Sequence, residues 1–144
     1  MATNTTRPVS TTSDAPTANR RMEIAGWVVT GLVSIFLLFD AVSHLAMPQG
    51  VKDASYDLGL TDGDILAMGL ILLGCLALYL FPRTAILGSV LLTGYLGGAA
   101  TAQIVNETEF AAGALLPVVF GALVWLGLWL RSNTVRSIMP FTQR

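Results

Sequence analysis

Residues 82–104 read PRTAILGSVLLTGYLGGAATAQI, and this stretch decides the fold. One arginine stands behind a proline, and the remainder carries no charge. At ~1.5 Å per residue, ~20 apolar residues span ~30 Å, the thickness of a bilayer core. The second half is dense in Gly, Ala and Thr, with Gly94, Gly97 and Gly98 in a Gly-x-x-x-Gly frame. Helices in lipid gain no hydrophobic driving force from meeting one another. Small residues let their backbones approach, so these glycines are expected to form a packing face. That face would close the bundle itself or join two copies.

The composition agrees. The chain has 144 residues, one domain's worth. It is 53% hydrophobic and only 12% charged, about half the ~25% charged share of a soluble domain. Its mean hydropathy is +0.67. The predicted partner is therefore the lipid bilayer. A net charge of −1 without a basic stripe gives no reason to expect nucleic acid. The single cysteine, Cys75, excludes an internal disulfide or dithiol pair. One Cys and one His do not build a structural zinc site, and no metal is expected.

Residues 1–23 begin Thr-, Ser-, Asn- and Pro-rich and are expected to form a disordered tail, because they bury too little to offset the entropy of ordering. The twin arginines Arg20 and Arg21 are compatible with an export signal. The run behind them is long for one, and no small-x-small cleavage site closes it. A membrane domain is predicted over residues 24–131, with spans at about 24–46, 65–81, 84–104 and 110–130. Thr61 and Asp64 read as the N-cap and capping-box partner of the second span. Pro117 suggests a kink in the fourth. Residues 132–144 form a short polar tail. Two glycosylation triplets, starting at Asn4 and Asn106, are read as chance matches.

Four spans return both ends to one side. Arg7, Arg20, Arg21, Arg83, Arg131, Arg136 and Arg144 then share a face, while Lys52 stands on the other with Asp53, Asp57, Asp62, Glu107 and Glu109. The positive-inside rule makes the arginine face cytoplasmic. The expected fold is thus an all-α, transmembrane four-helix bundle with both termini cytoplasmic. Arg20, Arg21, Arg83 and Arg131 mark its topology and meet lipid headgroups. Trp27, Tyr79, Trp125 and Trp129 would settle at the same interface.

Asp40 and His44 are the ionisable groups within the first span, and i,i+4 spacing places them on one helix face. Ionisable groups at membrane depth are costly and usually find partners inside the bundle. With Tyr95, Thr101 and Gln103 from the outer part of the third span, they form a candidate ligand-binding group in the outer half, which Asp64 would join from the second span. The plainer reading is a satisfied polar pair at a wet helix end, with Tyr95 a packing residue whose hydroxyl bonds a carbonyl.

The stretch 76–102, LALYLFPRTAILGSVLLTGYLGGAATA, resembles the signature of the DoxX-like integral membrane proteins. In that family a helix ends in a Leu-Tyr-Leu-Ile-Pro-Arg-Thr-Ala type turn and continues through Leu-Leu-Thr-Gly-Tyr-Leu-Gly-Gly-Ala. Phe39-Asp40-Ala41 and Leu58-Gly59-Leu60 match the usual layout, and the similarity covers about residues 24–130. The resemblance implies a four-helix bundle of the bacterial inner membrane. Namesake relatives are subunits of a thiosulfate:quinone oxidoreductase. The chain departs from the family pattern at three ionisable positions, with Leu72 for a common Glu, Gln103 for a common His and His44 for a common Lys.

Two functions follow as expectations. One is a non-catalytic membrane subunit or scaffold that packs against itself or a partner protein, as a homo-oligomer or in a complex. The other is a redox-linked accessory subunit holding a quinone-like ligand in the outer half of the bundle; a quinone is the cofactor this would imply. Neither makes the chain catalytic on its own. A transport path is disfavoured by the small number of spans and the lack of an internal repeat.

Overall fold

The computed structural model describes residues 15–105 and 113–139. Among them there are six helices and no strand: α1 (Ala15–Ala46), α2 (Gln49–Asp57), α3 (Asp62–Leu80), α4 (Ala85–Val105), α5 (Leu115–Arg131) and α6 (Asn133–Ile138). The start of the N-terminal tail with Arg7, both glycosylation triplets, Glu107, Glu109, the beginning of the expected fourth span at Phe110, and Arg144 lie outside the described residues.

Three helical stretches are long and apolar enough to cross a membrane: Asn19–Ala46, Asp62–Leu80 and Ala85–Val105. α5 is equally apolar but has 17 residues. The outer surface explains how such a chain is soluble only in lipid. Along α1, Leu32, Ile35 and Phe39 are 66%, 68% and 71% exposed, and Leu66, Leu70, Val90 and Val118 are uncovered in the same way on α3, α4 and α5. A contiguous apolar face of this extent does not persist in water, so the protein is an integral membrane protein.

The helices pack in a ring, α1 against α3 and α5, and α4 against the same two. The core holds Leu37 of α1, Leu72 and Tyr79 of α3, Leu92 of α4, and Val124 and Leu128 of α5. The buried stripe of α4 runs Ala85, Gly88, Ser89, Leu92, Leu96, Ala100, a spacing of three and four that keeps one helix face inward. The hydroxyls on this helix return to their own backbone, Ser89 Oγ to the Ala85 carbonyl (2.9 Å) and Thr93 Oγ1 to the Ser89 carbonyl (2.7 Å). They are thereby satisfied without water.

Several expectations are corrected. α1 starts at Ala15, so residues 15–23 are helical where a disordered tail was expected. Pro16 falls in its first turn, where the missing N–H costs nothing. Pro117 likewise lies in the first turn of α5 and does not kink a helix interior. The connection after Pro48 is itself a helix, α2, and the C-terminal tail contains α6. The capping box at α3 forms: Thr61 Oγ1 accepts from the Asp64 N–H, and the Asp64 carboxylate accepts from the Thr61 N–H.

The close helix contacts use glycine, at positions other than those expected. A Cβ on Gly26 would fall 2.6 Å from the Arg131 nitrogen, one on Gly69 3.1 Å from the Ala41 carbonyl oxygen, and one on Gly127 2.8 Å from Thr30 Oγ1. On Gly88 it would collide with the Tyr79 backbone. Gly94, Gly97 and Gly98 meet nothing within 4 Å. They lie off the inward stripe of α4, and among the described residues no neighbouring helix packs on them.

Candidate functional site

At the end of the bundle where α1 and α4 finish and α3 and α5 begin, the helices splay around a cleft of about 700 Å³. α1 contributes Phe36, Leu37, Asp40 and His44, and α4 contributes Gly94, Tyr95, Gly98 and Gln103. α5 adds Leu116, Pro117 and Phe120. The absence of side chains at Gly94 and Gly98 opens the wall of this cleft. Phe36 and Phe120 stack across it, centroids 4.1 Å apart and planes 17° from parallel.

α2 closes the outer side. Its residues Val51, Ala54 and Ser55, with Leu58 just beyond it, face the cleft at i, i+3, i+4 and i+7, the inward stripe of an amphipathic helix. Its polar residues fix it to α3. Tyr56 donates its hydroxyl proton to Asp62 at 2.5 Å, and Lys52 Nζ donates to the other oxygen of that carboxylate at 3.3 Å. The hydrogen bond to Asp62, followed by burial and the carboxylate's charge, holds the Tyr56 phenol above its ordinary pKa.

The polar end of the cleft is built on one turn of α1. His44 Nδ1 lies 2.9 Å from the Asp40 backbone oxygen and 3.7 Å from its Oδ1. A carbonyl accepts only, so Nδ1 carries a proton and donates to it. The Asp40 side chain is 39% exposed and that of His44 15%. Tyr95 is half-buried in the α4 wall, and no described residue hydrogen-bonds its hydroxyl.

The structure thus brings together Asp40, His44, Tyr95 and Gln103 of the sequence-predicted group. It does not bring Thr101, which is exposed and donates to the Gly97 carbonyl at 2.9 Å. Nor does it bring Asp64, which is committed to the capping box. Among the described residues no cluster of His, Cys, Asp and Glu fits a metal ion. Sequence reading missed the aromatic pair and the α2 roof. The roof had a signal, the 51, 54, 55, 58 spacing. Phe36 and Phe120 are joined only by the tertiary fold.

The opposite end is a second polar focus. Tyr79, next to the last residue of α3, is fully buried. The Arg131 guanidinium lies 4.6 Å from the Trp27 ring centroid and 4.8 Å from that of Tyr79, and donates to the Tyr79 carbonyl at 2.8 Å. Arg131 therefore binds a C-terminal carbonyl of α3 where a headgroup contact was expected. Arg136 does the same for α5, donating to the Leu130 carbonyl at 2.6 Å. Arg20, Arg21 and Arg83 are exposed.

A family model for the DoxX-like family matches residues 28–127, more than half of the chain and all of the cleft's α1, α3 and α4 walls. No curated protein and no solved structure matches significantly.

Proposed function

The chain belongs to the DoxX-like family, and on that premise we propose that it is a multi-pass protein of the bacterial inner membrane whose α2-roofed cleft holds a small, largely apolar ligand. α5 is read as the fourth span. Arg20, Arg21, Arg83, Arg131 and Arg136 stand at the end remote from the cleft and Lys52 beside it, so the positive-inside rule supports cytoplasmic termini and a cleft in the outer half.

The observation that carries the reading is the cleft itself: about 700 Å³, with mostly apolar walls into which Asp40, His44, Tyr95 and Gln103 bring a few polar groups. A ring of the size and flatness of a quinone suits the Phe36–Phe120 stack, as a redox-linked accessory subunit would require. The test is saturable binding of a short-chain quinone to the detergent-solubilised protein. Gly98→Leu, which fills the cleft from α4, is expected to abolish binding and leave the helical content unchanged. Binding that survives Gly98→Leu would refute the reading.

A scaffold role is the second reading, and Gly97 favours it. It is exposed beside Thr101, and a Cβ there would meet none of the described residues within 4 Å. A second helix would find a small-residue face there. Gly97→Leu is then expected to dissociate an oligomer or complex in mild detergent.

A further inference from the structure

A ring held in the cleft leaves one group unanswered. The Asp40 carboxylate opens into a mostly apolar cavity, and among the described residues no Lys or Arg lines it. The chain's single lysine, Lys52, is engaged with Asp62. The titratable groups among the described lining residues are Asp40, His44 and Tyr95. His44 Nδ1 spends its hydrogen bond on the Asp40 backbone oxygen at 2.9 Å and stands 3.7 Å from Oδ1, so the carboxylate receives no hydrogen bond from it. The Tyr95 hydroxyl can answer a carbonyl of a neutral ring, but a neutral ring brings no charge to the Asp40 carboxylate.

We propose that the cleft takes lipophilic organic cations: an apolar, ring-bearing body against the Phe36–Phe120 pair and Tyr95, with its positive charge on Asp40. The inference rests on the cleft being a ligand site and adds the charge of what it holds. Aromatic faces favour a cation as well as an apolar body. Asp40 and His44, one helical turn apart, give the cleft its polar end, and the stacked rings line it one turn before Asp40 on α1 and from α5. Gly94 and Gly98 leave the width that a bulky body needs.

Tetraphenylphosphonium and tetraphenylborate test this directly. They share size, shape and four phenyl rings, and differ in the sign of charge. Neither carries a hydrogen-bond donor, so the pair reports charge alone. Calorimetry on the full chain in detergent should show saturable binding of the cation at one site and at least tenfold weaker binding of the anion, on the order of the loss when a buried charge pair is broken. Asp40→Asn should weaken the cation by about the same factor and leave binding of a neutral short-chain quinone unchanged. The comparison of the two ions needs no variant, so it stands even where Asp40→Asn does not fold. Equal binding of both ions, or cation binding indifferent to Asp40→Asn in a folded variant, overturns the charge assignment while quinone binding keeps the cleft. Loss of saturable binding by all three probes overturns both.

Discussion

Tyr79 donates its hydroxyl proton to the Val124 carbonyl oxygen at 3.0 Å, linking α3 to α5 in the centre of the bundle. Its one proton is thereby used, so Thr30 Oγ1, 3.2 Å away on α1, is the donor to the Tyr79 oxygen. One phenol therefore ties three helices in a region with no water to replace it. Tyr79→Phe keeps the ring but strands the Thr30 hydroxyl and takes from the Val124 carbonyl the second of its two donors, leaving only its bond within α5. The expected cost is about 1–3 kcal/mol, the penalty for leaving a buried polar group without its partner. Thermal unfolding in detergent should show the melting temperature fall, with less effect when Thr30→Val removes the stranded hydroxyl as well.

The glycines of α4 divide by phase. Gly88 is on the inward stripe, and a Cβ there meets the Tyr79 backbone, which cannot rotate aside as a side chain can. Gly88→Ala is expected to destabilise by at least about 1–3 kcal/mol, the range for overfilling a packed interior. Gly97→Ala has open space around it and is expected to be neutral or slightly stabilising, because alanine is the better helix former. Paired unfolding curves of the two variants check the contrast. Equal loss in both would contradict the close approach of α3 and α4.

The same contrast shows what the sequence can disclose. The apolar runs were legible because length and the lack of charge are local facts, and so was the Thr61–Asp64 cap, whose partners stand one turn apart. Asp40 and His44 were legible as a pair for the same reason. The Gly-x-x-x-Gly frame was visible, but which helix face it occupies relative to the core depends on phase against the neighbours. Gly94 and Gly98 turned out to widen a cleft, and packing fell to Gly26, Gly69, Gly88 and Gly127. Arg131 read as a topology marker because nothing near it in sequence announces Trp27 or the carbonyl of Tyr79.

Arg131 yields a prediction that separates charge from shape. Its planar guanidinium lies over both the Trp27 and the Tyr79 ring while donating to the Tyr79 carbonyl. Lysine keeps the charge but has no plane to stack and a single point of donation. Arg131→Lys is therefore expected to loosen the end of the bundle where α1, α3 and α5 meet. Trp27 fluorescence is the local readout: its emission should shift and its quenching by aqueous iodide should rise. Cation binding in the cleft, at the other end of the helices, should be unaltered.

The bond between Tyr56 and Asp62 sets a pH limit on the roof of the cleft. Tyr56 is held above its ordinary pKa of 10.0, first by its hydrogen bond to Asp62. A raised pKa means that the folded state favours the protonated phenol. The stabilisation is complete below the pKa of the unfolded chain, and it is lost as pH rises through the folded value. Above that point phenolate and carboxylate repel, and only Lys52 still holds α2 to α3. The phenolate absorbance of the wild type minus that of Tyr56→Phe isolates this residue from Tyr79 and Tyr95. Its midpoint should lie above pH 10, and Asp62→Asn should bring it down, because that change removes both the carboxylate acceptor and the charge. If α2 is the roof, ligand release should quicken over the same alkaline interval in the wild type and be fast at all pH values in Asp62→Asn. A midpoint indifferent to Asp62→Asn would mean that the two residues are not joined in the membrane-embedded protein.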